Sequence, residues 1–136
     1  MNIVAIGAHP DDLEIFAYGF LAAASSRGDN LILGVATDGA AGGVNKGAEL
    51  ARQRADEARN GLAALGTPTL LDLPDGQLAD APNARNRIRD FIRNAAPDLV
   101  ITHAPEDYHP DHRALAAYVR DAAGFICPVL FCDTLM

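Results

Sequence analysis

Two short polar segments of the sequence carry side chains that bind metals. They read AHPDD at positions 8–12 and HPDH at positions 109–112. Their imidazole nitrogens and carboxylate oxygens suit a divalent metal such as zinc, with one position left open for water. Either segment alone is also typical of a capped helix start, because an aspartate there accepts backbone N–H bonds. The pair favours a metal site, since burying so many ionisable groups together without a metal would be costly.

Each polar segment follows an apolar run of strand length and begins a stretch of helical periodicity. This alternation continues along the chain and predicts parallel strands joined by crossover helices. The predicted strands are Asn2–Gly7, Asn30–Thr37, Thr69–Leu73, Asp98–Thr102 and Pro128–Asp133. The predicted helices are Asp12–Arg27, Ala48–Leu65, Asn83–Ala95 and Asp111–Ala123. The fold class is therefore α/β, a Rossmann-like three-layer sandwich with a mostly parallel sheet of five strands and four helices.

The two polar segments are expected to meet at one edge of this sheet. Ligands of open α/β sheets bind outside the carboxyl ends of the strands, where the winding reverses. In the commonest order the first and fourth strands are neighbours at that point. Because the segments follow those two strands, the sequence predicts a single site.

Length and charge limit the class of protein further. A chain of 136 residues is long enough for one domain. A formal net charge of -7 opposes contact with phosphate backbones, so we expect no nucleic-acid partner. No apolar run approaches the roughly 20 residues of a membrane span, and the start lacks a basic signal-peptide region, which predicts a cytoplasmic protein. Cys127 and Cys132 lie in an apolar segment and are expected to be free core thiols.

The two segments give the chain a resemblance to the PIG-L/LmbE family of zinc-dependent N-acetylglucosaminyl deacetylases, which share an AHPDD segment and a later HPDH segment. Smaller matches are Thr37-Asp38-Gly39, Arg54-x-x-Glu57, Leu65-Gly66 and Asp75-Gly76. The resemblance implies a single deacetylase domain over residues 1–136. Members of the family usually continue well past the fifth strand, so we also expect that the usual C-terminal part is missing here.

The resemblance assigns roles to individual residues. The implied zinc ligands are His9, Asp12 and His112. Asp11 would be the general base that takes a proton from the activated water. A protonated His109, oriented by Asp111, would stabilise the oxyanion and then protonate the departing amine.

Four further residues are candidates for the surroundings of the site. Arg54 and Asp75 match family positions that contact the substrate. For His103, at the end of the fourth strand, we favour a hydrogen bond that completes the strand over a place in the crevice. Tyr108 is expected to pack beside the site or to close over it.

The resemblance implies a hydrolase that removes an acetyl group from an N-acetylglucosamine-type sugar or a related small molecule, with one Zn²⁺ per chain. Fe²⁺ or another divalent metal would suit the same ligands. Two alternatives remain open: a zinc-binding domain without turnover, and a metal-dependent phosphoesterase, which generally needs more bridging carboxylates. The apolar last strand predicts an uncovered sheet edge, which a missing companion segment or a second copy of the chain would cover; of these we expect a homo-oligomer.

Overall fold

The apolar segments form one parallel sheet in residues 1–134, the part of the chain that the computed structural model describes. The strands are β1 (Asn2–Gly7), β2 (Asn30–Thr37), β3 (Thr69–Leu73), β4 (Leu99–His103) and β5 (Val129–Cys132). They lie in the order β3-β2-β1-β4-β5, and every neighbouring pair is parallel. Strands buried on both faces read as continuous apolar runs, which is why their positions could be predicted.

Helices cover both faces of this sheet. Within residues 1–134 they are α1 (Asp12–Phe16), α2 (Tyr18–Ser26), α3 (Ala48–Gly61), α4 (Ala84–Asn94) and α5 (Pro110–Ala123). One core cluster joins the sheet to α4 and α5 through residues such as Ile88 and Leu115. The other joins it to α1 and α2 through Leu13 and Leu21. The predicted three-layer α/β class is confirmed. No helix of this part of the chain is both long and apolar enough to cross a bilayer.

The prediction of four helices was wrong, because the first one divides in two. Ala17 has φ -124° and ψ -12°, which interrupts the helical conformation between α1 and α2. Phe16, the residue before this break, has its ring 4.8 Å from that of His103. Neither proline nor glycine occupies position 17, so no local signal marked the break. Helix α3 also ends earlier than predicted, at Gly61.

Pairing of β1 with β4 brings the two polar segments together. Val4 lies beside Val100 and Ala5 beside Ile101 in this pair. The Thr102 hydroxyl donates to the Ile6 carbonyl at 3.0 Å and ties the two strand ends to each other. The prediction that the first and fourth strands are adjacent in the sheet is therefore confirmed.

The two cysteines lie on opposite faces of the sheet. Both are half-buried free thiols. Cys127 packs against the cluster under α4 and α5, whereas Cys132 packs against the cluster under α1 and α2. They border the core rather than fill its centre.

Gly34 in β2 allows α4 to pack closely on the sheet, which gives a test of this packing. A Cβ atom at this position would lie 2.7 Å from ring carbons of Phe91 and 3.3 Å from the Ile6 side chain. We expect Gly34→Ala to lower the free energy of unfolding by about 1–3 kcal/mol in urea denaturation, the usual cost of overpacking.

The matched control is Gly19→Ala, in helix α2. No atom lies within 4 Å of a Cβ built there. Alanine is favoured over glycine within a helix by about 0.5–1 kcal/mol, so this variant should be slightly more stable than the wild type. Equal denaturation midpoints for the two variants would contradict the packing described.

Candidate metal centre

Three donor atoms form a small triangle at the carboxyl ends of β1 and β4. His9 Nδ1 lies 3.2 Å from His112 Nε2. Asp12 Oδ2 lies 3.4 Å from each of these nitrogens. Tetrahedral zinc, with bonds of about 2.0–2.2 Å, needs ligand atoms about 3.3–3.6 Å apart. The three residues named by the resemblance thus have a spacing that fits a tetrahedral metal ion.

Two helix starts hold these ligands in place. Asp12 is the first residue of α1, and its carboxylate accepts from the His9 backbone N–H at 2.7 Å, which folds the turn after β1. His112 lies in the first turn of α5. That helix begins with His109 as N-cap and Pro110 in its first turn, a position where proline is well tolerated. Both turns direct their imidazoles toward the same point.

Carboxylates on the far sides of the rings fix the tautomers of both imidazoles. Nε2 of His9 faces Asp111 Oδ2 at 3.0 Å and Asp75 Oδ1 at 3.1 Å, which leaves the lone pair on Nδ1. Nδ1 of His112 donates to Asp107 Oδ1 at 2.9 Å, which leaves the lone pair on Nε2. Metal-binding histidines commonly donate their second nitrogen to a carboxylate in this way. In the neutral rings, the lone pairs are therefore the two that face the triangle.

His103 is the fourth imidazole of the cluster and is completely buried. Its Nε2 lies 3.0 Å from both Asp12 Oδ2 and the Ala8 backbone nitrogen, which compete for it. Its ring stacks on that of His112, with centroids 3.6 Å apart and planes 8° apart. Because each lone pair lies in its own ring plane, two parallel stacked rings cannot direct both lone pairs at one ion. This geometry favours a role for His103 in supporting Asp12 and His112 over a place in the same ligand set. His103 thus lies within the cluster and does more than complete its strand.

The charges of the cluster compensate one another. Burial raises the pKa of the Asp12 carboxyl, but hydrogen bonds with His103, His112 and His9 outweigh it and hold that pKa far below its usual range. Burial lowers the pKa of His9, whereas its contacts with Asp111 and Asp12 raise it, with a net pKa of about 10. Without a metal, a proton on His9 supplies positive charge that a divalent cation would otherwise provide.

Asp11 and Arg54 contact each other at the rim of the cluster. Nη2 of Arg54 donates to Asp11 Oδ2 at 3.0 Å and to the Pro10 carbonyl at 3.3 Å, while Nη1 donates to the Gly39 carbonyl at 3.3 Å. Asp11 has a φ of 147°, which is rare for a residue other than glycine. The resemblance implies that the Arg54 guanidinium contacts the substrate. In the structure it forms hydrogen bonds within the chain and holds Asp11 in its strained conformation.

The resemblance implies that the Asp111 carboxylate orients the side chain of His109. In the structure this carboxylate lies against His9 instead. Its two oxygens accept from the backbone N–H groups of Gly76 at 2.8 Å and Leu78 at 3.0 Å. His109 is linked to it only through the backbone, because His109 Nδ1 accepts from the Asp111 N–H at 3.1 Å. The proton of a neutral His109 is therefore on Nε2.

A cavity of about 210 Å³ opens onto these groups. Asp11, Asp75, His109 and Tyr108 are among the residues that line it. Asp75 is held in the wall, since its Oδ2 accepts from a backbone N–H at 2.9 Å. The ring of Tyr108 is half exposed and stands edge-on to His112 with centroids 5.7 Å apart. A larger groove of about 370 Å³ between α3 and β3 contains none of these residues, so its size does not make it the better candidate.

Sequence reasoning missed Asp107, and for His103 it favoured a strand-completing hydrogen bond over the place in the cluster that the structure shows. Asp107 lies in the loop before α5 and belongs to neither polar segment. Asp107 lies five residues before His112, and the start of α5 at His109 turns the chain between them so that the two side chains meet. This spacing was the signal available in the sequence.

The chain is similar to several deacetylases. The family model for GlcNAc-PI de-N-acetylase, PIG-L, matches residues 4–123. An Escherichia coli K12 protein described as an uncharacterized deacetylase, YaiS, is 33% identical over 125 residues, which cover 84% of this chain and 63% of that protein.

Solved structures share the fold. The conserved protein TT1542 from Thermus thermophilus superimposes with a TM-score of 0.85 and 25% identity, over 98% of this chain and 66% of that one. The N,N'-diacetylchitobiose deacetylase of Pyrococcus horikoshii gives a TM-score of 0.83 and 28% identity, over 91% of this chain and 49% of that one. The chain therefore spans half to two thirds of the length of these relatives, and it belongs to the PIG-L family.

Proposed function

We propose that this chain is the zinc-binding catalytic part of an N-deacetylase that hydrolyses the acetamido group of an N-acetylated amino sugar. The observation that carries the proposal is the triangle of His9, Asp12 and His112 facing a cavity beside Asp11. Membership of the PIG-L family supports the reaction class. The fold alone would not, since one fold supports many reactions.

The metal would be held by His9 Nδ1, His112 Nε2 and the Asp12 carboxylate, which are typical zinc donors. When bound, zinc would supply a Lewis acid that acidifies water and polarises an amide carbonyl. Iron(II) would suit the same nitrogen and oxygen donors.

Asp11 would be the general base. Burial raises the pKa of its carboxyl, and the Arg54 guanidinium only partly opposes this effect. A raised pKa brings a carboxylate closer to the value that favours proton transfer at neutral pH. Arg54 holds Oδ2 at 3.0 Å and leaves Oδ1 to collect the proton of the attacking water. Asp11 would then return that proton to the departing nitrogen as the C–N bond breaks.

His109 would donate to the carbonyl oxygen as negative charge develops on it. Burial and the neighbouring His9 and His112 lower the pKa of His109, which favours the neutral ring at neutral pH. The neutral ring carries its proton on Nε2, because Nδ1 accepts from the Asp111 N–H. A fixed N–H donor of this kind stabilises an oxyanion without first gaining a proton. This neutral donor replaces the protonated His109 implied by the resemblance.

The family and the cavity support the proposed substrate class. GlcNAc and N,N'-diacetylchitobiose, the sugars in the names of the matched family and of one relative, both carry acetamido groups. A cavity of about 210 Å³ is small and suits the acetamido end of one sugar ring, with Arg54 and Asp75 in its wall. Its several carboxylates beside a single arginine disfavour a phosphoester, so the phosphoesterase alternative is the weaker one.

The ligand assignment can be tested within the HPDH segment. We expect His112→Gln to abolish stoichiometric zinc binding, because it removes one corner of the triangle. His109→Gln should retain about one zinc per chain, since His109 is assigned as a donor to substrate and not as a ligand. Elemental analysis after zinc loading and desalting measures both. Loss of zinc from the His109 variant alone would show that the ligand set is wrong.

The general base can be tested separately from the metal. We expect Asp11→Asn to lower amine release from N-acetylglucosamine and N,N'-diacetylchitobiose by about 10²- to 10⁴-fold, the usual contribution of a general base. Its zinc content should equal that of the wild type. The control is Asp80→Asn, at an exposed aspartate outside the cavity, which should be fully active. A zinc-loaded wild type that releases no amine from either sugar would contradict the proposed reaction.

A further inference from the structure

Asp107 is a buried carboxylate that no sequence motif indicated. It lies in the loop between β4 and α5, and its side chain has no exposed surface. A buried carboxylate is costly unless other groups pair with it. The contacts of its two oxygens are therefore informative.

The first oxygen, Oδ1, contacts the metal ligand on its far side. It accepts from His112 Nδ1 at 2.9 Å and from the His109 backbone N–H at 3.0 Å. The first bond places the proton of His112 on Nδ1 and keeps Nε2 free. That Nε2 is the atom 3.2 Å from His9 Nδ1 and 3.4 Å from Asp12 Oδ2. The second bond fixes the carboxylate relative to the helix that carries His112.

The second oxygen, Oδ2, shows that packing alone does not account for a carboxylate at this position. It is buried and has no hydrogen-bond partner within residues 1–134, and it lies 4.0 Å from His103 Nδ1. An apolar side chain of similar size would fill this space without leaving a buried oxygen unpaired. The negative charge is directed at His112 instead, and such a charge makes an imidazole a better metal ligand.

His103 restrains the same ring in a different way. Its imidazole lies flat on that of His112, with 3.6 Å between centroids, and Phe16 packs on His103. The stack restricts the plane of the His112 ring. Asp107 restricts its rotation within that plane and the position of its proton.

We propose that Asp107 is a positioning residue of the metal centre, which holds His112 in the Nδ1–H tautomer so that Nε2 faces the ion. The inference rests on the proposed zinc site, because it takes His112 as a ligand.

Two variants of the full chain separate the parts of this role. Asp107→Leu fills the space but removes the acceptor and the charge, whereas Asp107→Asn keeps an oxygen acceptor and removes only the charge. Zinc affinity is measured by competition with a chromophoric chelator. We expect about one zinc per chain in both variants, with affinity about 10- to 100-fold lower for Asp107→Leu and an intermediate loss for Asp107→Asn.

The control is Asp29→Ala, which removes a carboxylate whose side chain is only 8% exposed and which contacts the N-terminal amine, at the end of β1 opposite the site. Its zinc affinity should equal that of the wild type. Long-range ¹H–¹⁵N spectra of histidine-labelled, zinc-loaded protein give a second measurement. The wild type and Asp107→Asn should show the Nδ1–H tautomer for His112, and Asp107→Leu should lose it.

Unchanged zinc affinity in either folded variant would overturn the proposal, as would a wild-type His112 protonated on Nε2. If Asp107→Leu does not fold, Asp107→Asn carries the test through its intermediate affinity. A wild type that binds zinc but releases no amine would contradict the deacetylase proposal and leave this one intact, because its readouts are affinity and proton position. A wild type that binds no zinc would overturn the site itself and this proposal with it.

Discussion

Parallel pairing of β1 with β4 determines where the polar groups of the centre lie. Parallel strands end at the same edge of a sheet, so the turn after β1 and the loop after β4 become neighbours although about a hundred residues separate them. Four polar side chains of the two segments are then buried above the two strand ends, namely His9, Asp12, Asp111 and His112. Enclosed groups of opposite charge must be paired, and this requirement orders most of the contacts described.

The inner nitrogens of His9 and His112, beside Asp12, are the part of the cluster whose donor atoms suit a metal ion. Asp111, Asp75 and Asp107 face the outer nitrogens of His9 and His112. The inner nitrogens of those rings face Asp12 and each other, and in the metal-free chain the proton on His9 balances the charge of this carboxylate. A divalent cation would take the place of that proton, because it would be attracted by the carboxylate and by both lone pairs at once.

The sequence carried enough information for the strands and the layers, since those depend on apolar runs. The strand order also placed the two polar segments at one edge of the sheet, whereas the ligand roles of His9, Asp12 and His112 came from the family resemblance and stay a prediction. Contacts between distant segments were not readable in this way. The break at Ala17 lies next to Phe16, whose ring packs on the distant His103. The Asp111 carboxylate contacts His9, which comes from the other end of the chain. The contact of Asp107 with His112 likewise forms only because α5 turns His112 back toward it, so it was not predicted from the sequence.

Anomalous diffraction at the zinc absorption edge, from crystals of the zinc-loaded chain, tests the ligand triangle most directly. A single anomalous peak about 2.0–2.2 Å from His9 Nδ1, His112 Nε2 and an Asp12 carboxylate oxygen is the expected result. A peak bonded instead to His9 Nε2 on the side of Asp75 and Asp111, or no peak among these side chains, would contradict it.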